Sequence, residues 1–424
     1  MREDFLHFIW KFRLYTKELY TTDGEELIVI HPGQHNADAG PDFTNAQIRL
    51  GKTLWAGNTE IHVKSSEWYV HGHHTDNAYS NIILHVVYEH DRSVYDRNGR
   101  EVPTLELKGK FSESIFQKYF YYLNNKNWIP CEKDIHYLSI EKVNIWLNSL
   151  LIGRMERKAA NLRSLLEHNK NNFEETFYQV LAGNFGFKIN EQPFRMLAAV
   201  LPLQILGKHK NSLMQIEALL FGSAGLLNAD FQDEYPRALK KEFEFLRNKY
   251  QLVPVQGHLW KFMRLRPPNF PTIRIAQFAA LVHKSQRLFM KIIETDGIAG
   301  LIELFDVEAS SYWDNHFVFD KPSEGSTKKL GKEAIQNLLL NTVVQMLFLY
   351  SLEKADERYQ EKAVEFLMQI EPESNSIIKG WKAVGIDAKN AFESQALIEL
   401  KNNYCSQKKC LHCSIGLDLL KMNS

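Results

Sequence analysis

Apolar and polar positions alternate at Ala46, Ile48 and Leu50 and again at Ile61 and Val63, and this period of two predicts strands. Ahead of them, Phe5, Leu6, Phe8, Ile9, Phe12, Leu14, Tyr15 and Leu19 crowd at helical spacing and predict a helix ended by the turn residues Thr22-Asp23-Gly24. Leu27 to Ile30 reads as a short buried strand, Ile82 to Val87 as a central strand and Thr104 to Leu107 as a further one, from their β-branched, apolar make-up. The order is α-β-β-β-(α)-β-β. From about Ser112 the spacing changes to three and four. Helices are expected over 150–166, 173–182, 194–206, 275–293, 334–352, 355–370 and 391–400. The polar stretch 320–332, with Pro322, Gly325 and Gly331, reads as a mobile loop. The fold class is therefore α+β. A small N-terminal α/β layer over 1–111 precedes a large helical domain over 112–424.

Composition narrows the class only slightly. The chain has 424 residues, with 51 basic and 51 acidic side chains, so bulk attraction to nucleic acid or anionic lipid is not expected. No basic n-region followed by an apolar core opens the chain, and no run of about 18 apolar residues interrupts it. A cytoplasmic protein with reduced thiols and no membrane partner is the expectation.

The chemistry concentrates between Gly40 and Asp91. Asp42 and Glu60 are followed by six histidines, His62, His71, His73, His74, His85 and His90. On one strand Glu60 and His62 face the same way. If Asp42 opens the neighbouring strand, the three side chains converge. Two carboxylates and a nitrogen base so placed suit a divalent cation, which lowers the pKa of bound water and neutralises phosphoryl oxygens. His71, His73 and His74, with Asp42 and Glu60, are the candidate metal ligands, since imidazole and carboxylate together suit transition metals. His85, inside an apolar strand, reads as a buried, hydrogen-bonded histidine.

Pro41-Asp42 and Glu60-Ile61-His62, in this element order, resemble the PD-(D/E)xK nuclease superfamily over residues 5–90. The resemblance implies a restriction-endonuclease-like α-β-β-β-α-β layer, with Asp42 and Glu60 binding Mg or Mn and a third residue orienting the attacking water. This chain carries His62 where the superfamily has lysine, and Lys64 lies two residues further on the same face. The whole chain also resembles a bacterial family of unknown function common in Bacteroidetes. Gly40 to Ala46, Gly57 to Val87, Ile216 to Gly222, Arg266 to Pro271 and the Cys-Leu-His-Cys tail carry that likeness, which brings no assigned activity.

Two further features stand apart. Cys405, Cys410 and Cys413 form C-x4-C-x2-C, and Cys131 is the only other cysteine. The spacing suits an iron–sulfur cluster with one remote ligand. It also suits zinc, held by four thiolates or by three thiolates and His412. Such a site would clip the C-terminal tail to the junction of layer and helices. Phe245 to Ile293 contains nine lysines and arginines and no acid. There Lys261, Arg264, Arg266 and Arg274, interleaved with Trp260, Phe262 and Phe270, are the candidate nucleic-acid contacts. The leading expectation is a metal-dependent nuclease-like protein. The alternatives are a catalytically inactive nucleic-acid- or protein-binding module and a metal-dependent hydrolase of a small substrate.

Overall fold

The computed structural model describes residues 1–36 and 38–422. An N-terminal region built on a sheet is followed by a large helical region, an α+β architecture. The chain divides into two compact units, one of residues 1–147, 383–385 and 399–424 and the other of 148–382 and 386–398. The unit that holds the sheet thus runs past residue 111 and takes back the C-terminal segment.

In that unit α1 (Glu3–Lys11) buries Phe5, Leu6, Phe8, Ile9 and Trp10. It is shorter than its apolar pattern predicts. Arg13 adopts φ 53° and turns the chain, so Leu19–Tyr20 becomes β1 at the sheet edge. Then come β2 (Glu26–His31), β3 (Gln34–His35), β4 (Phe43–Leu50), β5 (Thr53–Lys64), the short α2 (Glu67–Val70), β6 (Ile82–Glu89) and β7 (Thr104–Glu106). The sheet order is β1-β2-β4-β5-β6-β7, with β3 paired to β4. β2, β4 and β5 are antiparallel neighbours, whereas β5, β6 and β7 run parallel. β4 alternates as its sequence predicts, burying Phe43, Ala46, Ile48 and Leu50. β6 is buried along most of its length, as a central strand must be. Trp68, Tyr79, Ile82, Val94 and Val102 form the core under the β5–β6 crossover.

The ladder is irregular at one level. Register shifts fall between Phe43 and Ala46 on β4 and between Asn58 and Thr59 on β5. Asn45 at φ 57° is the bulged residue, and its N–H bonds Asn58 Oδ1 at 3.3 Å. Bulges bend a strand and re-aim the side chains beside them. Here the residues beside them are Asp42 and Glu60.

The second unit is helical. Its core is aromatic, with Phe177, Phe185, Phe194, Phe221, Phe278, Trp313 and Trp381 fully enclosed. The expected 275–293 helix is two, Pro271–Lys284 and Leu288–Glu294. The break comes at Arg287, with φ 50°. The 194–206 helix likewise divides at Leu201-Pro202, because proline cannot continue it. The 320–332 loop is anchored, against expectation. Lys328 is buried, its Nζ donating to the Asp314 carbonyl at 3.0 Å and the Ser326 carbonyl at 2.7 Å. The segment Lys332–Lys354 is long and apolar enough to cross a membrane by composition. Of its most apolar window 72% is buried, as in a core helix.

Candidate metal centre

Asp42 and Glu60 hold one another through main-chain donors. The Asp42 N–H donates to Glu60 Oε2 at 3.1 Å, and the Ile61 N–H donates to Asp42 Oδ2 at 2.9 Å. The β4 bulge sets this geometry by bringing the residue before the strand against the middle of β5. Glu3 and His7 join from α1, four residues apart and so on one helix face. His7 Nε2 lies 3.3 Å from Asp42 Oδ2. The donor atoms of Glu3, His7 and Asp42 all fall within 4.8 Å of one another.

A second group adjoins the first. His62 Nε2 lies 3.0 Å from His71 Nδ1 and 3.7 Å from Glu60 Oε1, and His73 Nε2 lies 3.1 Å from the same Glu60 oxygen. His62, His71 and His73 also present nitrogens within 4.8 Å of one another. Behind them, His62 Nδ1 meets Nε2 of the fully buried His85 at 2.8 Å. His73 stacks on Tyr79 with ring centroids 3.8 Å apart.

Electrostatics without a cation are unfavourable for the carboxylates. Burial first, then the charge of Asp42, pushes Glu3 up to about 7. Burial also raises Glu60, against the opposing pull of His73. Burial lowers His62 to about 3, so its imidazole is neutral and keeps a lone pair. Burial opposes the rise at His7, which the Asp42 carboxylate against its ring produces.

Two sets of these side chains could hold a metal ion, Glu3, His7 and Asp42 in one and His62, His71 and His73 in the other. His7 Nε2 and His73 Nε2 lie within ion-pair distance of the Asp42 and Glu60 carboxylate oxygens. His85 behind His62 supplies the outer hydrogen bond that orients a ligating imidazole.

The remaining sequence candidates are placed as follows. Lys64 stands exposed at the end of β5, outside the buried group. His74, expected among the ligands, packs on Tyr69 with centroids 5.1 Å apart and belongs to neither donor set among the described residues. In the helical unit Lys261, Arg264 and Arg266 are exposed. Arg274 is not a surface contact. It is 7% exposed, lies 4.6 Å over the Phe187 ring and donates to Gln277 and Asn269. Trp260, interleaved with these residues in sequence, is buried and donates to the Ala224 carbonyl at 2.7 Å. Sequence reasoning missed Glu3 and His7. Their i, i+4 spacing was the available signal, and only docking of α1 on β5 gives it meaning.

The fold and site together define an α+β protein with a histidine- and carboxylate-lined candidate metal centre on a mixed sheet. The chain belongs to the family described as "Protein of unknown function (DUF2851)", which it matches over residues 3–376. No curated protein and no solved structure matches the chain.

Proposed function

We propose that the protein is a divalent-metal-dependent hydrolase of nucleic-acid phosphodiesters, with Asp42 and Glu60 at the centre of its site. The observation that carries this reading is the convergence of His7 Nε2 and His73 Nε2 on the two carboxylates, at 3.3 Å from Asp42 Oδ2 and 3.1 Å from Glu60 Oε1. The strand order supports the phosphodiester class. The order α1, β2, β4, β5, α2, β6, with two short strands interspersed, is in keeping with the α-β-β-β-α-β order that the nuclease resemblance implies.

A bound cation would lower the pKa of water and neutralise charge on the phosphoryl oxygens. Asp42 would hold it with Glu3 and His7 on the α1 side, and Glu60 lies between this set and the second one, His62, His71 and His73. His62 stands where the superfamily has lysine. Its neutral imidazole can orient the attacking water, with His85 fixing the ring through Nδ1. Lys64 is too exposed for that role and is assigned to the incoming phosphate. With imidazoles in the donor set, Mn is favoured over Mg.

The test is cleavage of labelled single- and double-stranded DNA and RNA by the purified chain with Mn²⁺ or Mg²⁺. Asp42→Asn and Glu60→Gln serve as controls. Cleavage that survives either substitution overturns the assignment. A second reading, hydrolysis of a small substrate, draws on Arg274 and Trp260 being buried and so unable to track and stack a nucleic acid. Turnover of a small phosphoester with intact polynucleotides would favour it.

A further inference from the structure

All four cysteines are free thiols in the unit that holds the sheet. Two lysines fasten the C-terminal segment to the loop carrying Cys131. Lys401 Nζ donates to the Trp128 carbonyl, and Lys408 Nζ donates to the carbonyls of Leu123 and Asn125. Asn125 Nδ2 in turn donates to the Pro130 carbonyl at 2.8 Å. Across this junction the sulfurs are close enough that charge on Cys410 or Cys413 acts on both Cys131 and Cys405. Cys131, Cys410 and Cys413 are buried, whereas His412 between the last two is exposed.

N–H donors gather at the Cys413 sulfur, although burial raises its thiol. Cys413 precedes the C-terminal helix Ser414–Lys421, and the N–H groups of Ile415 and Gly416 reach its sulfur. The Trp146 indole N–H lies beside the same sulfur. Gly416 permits this approach, because a Cβ there would lie 2.3 Å from the Cys410 carbonyl oxygen.

We propose that Cys131, Cys405, Cys410 and Cys413 ligate an iron–sulfur cluster and not a single zinc ion. Spacing between the sulfurs decides between them. A tetrahedral zinc at about 2.3 Å from each thiolate holds its sulfurs about 3.8 Å apart. Among the described residues, the sets whose donor atoms all fall within 4.8 Å are His62, His71, His73 and Glu3, His7, Asp42. No three of the four sulfurs form such a set. A cluster distributes its thiolates over several irons and accepts wider separations. The C-x4-C-x2-C run with one remote cysteine is a cluster spacing. This inference is independent of the hydrolase reading and uses different residues.

The experiment is anaerobic purification of the full chain, followed by assay of iron, zinc and acid-labile sulfide and a visible spectrum. Iron and sulfide in equal amounts, with visible absorption that dithionite bleaches, are the expected result. Sulfide separates a cluster from iron bound at the histidines. Cys131→Ser and Cys405→Ser should each lose most of the sulfide while the far-ultraviolet circular dichroism stays unchanged. Gly416→Ala should lower cluster loading. Stoichiometric zinc without sulfide overturns the proposal, as do absence of both metals and full sulfide in Cys131→Ser. If the variants fail to fold, the wild-type metal and sulfide content decides alone.

Discussion

The Asp42 amide donates to the Glu60 carboxylate, and Asp42 receives in return the amide of Ile61, the residue after Glu60. The two acids are thereby fixed by main-chain donors rather than by each other's charge. Their carboxylates stay on the side of His7 and His73. Such an arrangement holds two carboxylates close together in a partly buried place, which costs free energy until a cation joins them.

Asp42→Asn and Glu60→Gln separate a metal site from a structural pair. Each amide retains an oxygen to accept the main-chain N–H bonds described above, so folding is expected to persist. Mn²⁺ affinity should fall by roughly 100-fold or more, beyond the loss typical for an outer-sphere change. Isothermal titration with Mn²⁺, set beside thermal melts of the metal-free proteins, gives both quantities. Equal losses of stability and binding would place the pair among ordinary structural contacts.

His85 touches the centre only through His62, with Nε2 2.8 Å from His62 Nδ1. It is a positioning residue. His85→Leu keeps an apolar side chain in a fully buried position of β6 and removes the outer hydrogen bond. Metal affinity is expected to drop roughly 10–100-fold. A packing role alone would lower the melting temperature and leave the titrated affinity where it was.

The strands were legible because their burial follows a local rule. Alternation at Ala46, Ile48 and Leu50 and the unbroken apolar run of β6 report the sheet's faces directly. Helix ends were less legible. Arg13 and Arg287 take positive φ without being glycine, so no residue type announced those breaks. Within the site, Asp42, Glu60 and the histidine-rich stretch drew attention by density. Glu3 and His7 did not, since an acid and a histidine four apart on a helix usually face solvent. Nor does any periodicity choose His73 over His74 in a loop. That choice comes from the ring of Tyr79, on which His73 stacks. The basic stretch misled for the same reason, because local sequence cannot separate the exposed Arg264 from the enclosed Arg274.

That difference in burial predicts two different mutant behaviours. Arg274→Ala removes two hydrogen bonds from a charged group and the contact with Phe187. A loss of about 2 kcal/mol in chemical denaturation is expected, softened by release of a buried charge. Charge reversal at the exposed Arg264 and Arg266 should leave stability nearly unchanged. If the chain binds DNA or RNA there, the reversal should also reduce the salt dependence of binding by about two phosphate contacts. Binding with an unaltered salt slope would remove both arginines from the interface.

The last prediction concerns Glu217, in the core of the helical unit and 1% exposed. Ser310 Oγ donates to its Oε1 at 2.7 Å, and Tyr235 Oη lies 3.2 Å from that Ser310 oxygen. Burial nevertheless pushes the carboxyl up from 4.5 to about 7, opposed by the Tyr235 and Ser310 hydrogen bonds. In the folded protein the group therefore holds its proton to higher pH than in the unfolded chain. Its contribution to stability is complete below about pH 4.5 and is lost as pH rises through about 7. At about 1.4 kcal/mol per pH unit, the loss approaches about 3 kcal/mol at pH 8. Glu217→Gln keeps an oxygen to accept from Ser310 and carries no charge at any pH. Relative to wild type, it should gain stability progressively from pH 5 to pH 8, the gain levelling off above pH 7. Urea denaturation of both proteins across that range measures the difference directly, and groups common to both cancel. A constant offset between the two curves would mean that Glu217 does not titrate in this window. A gain at low pH that fades toward pH 8 would reverse the sign and refute the assignment.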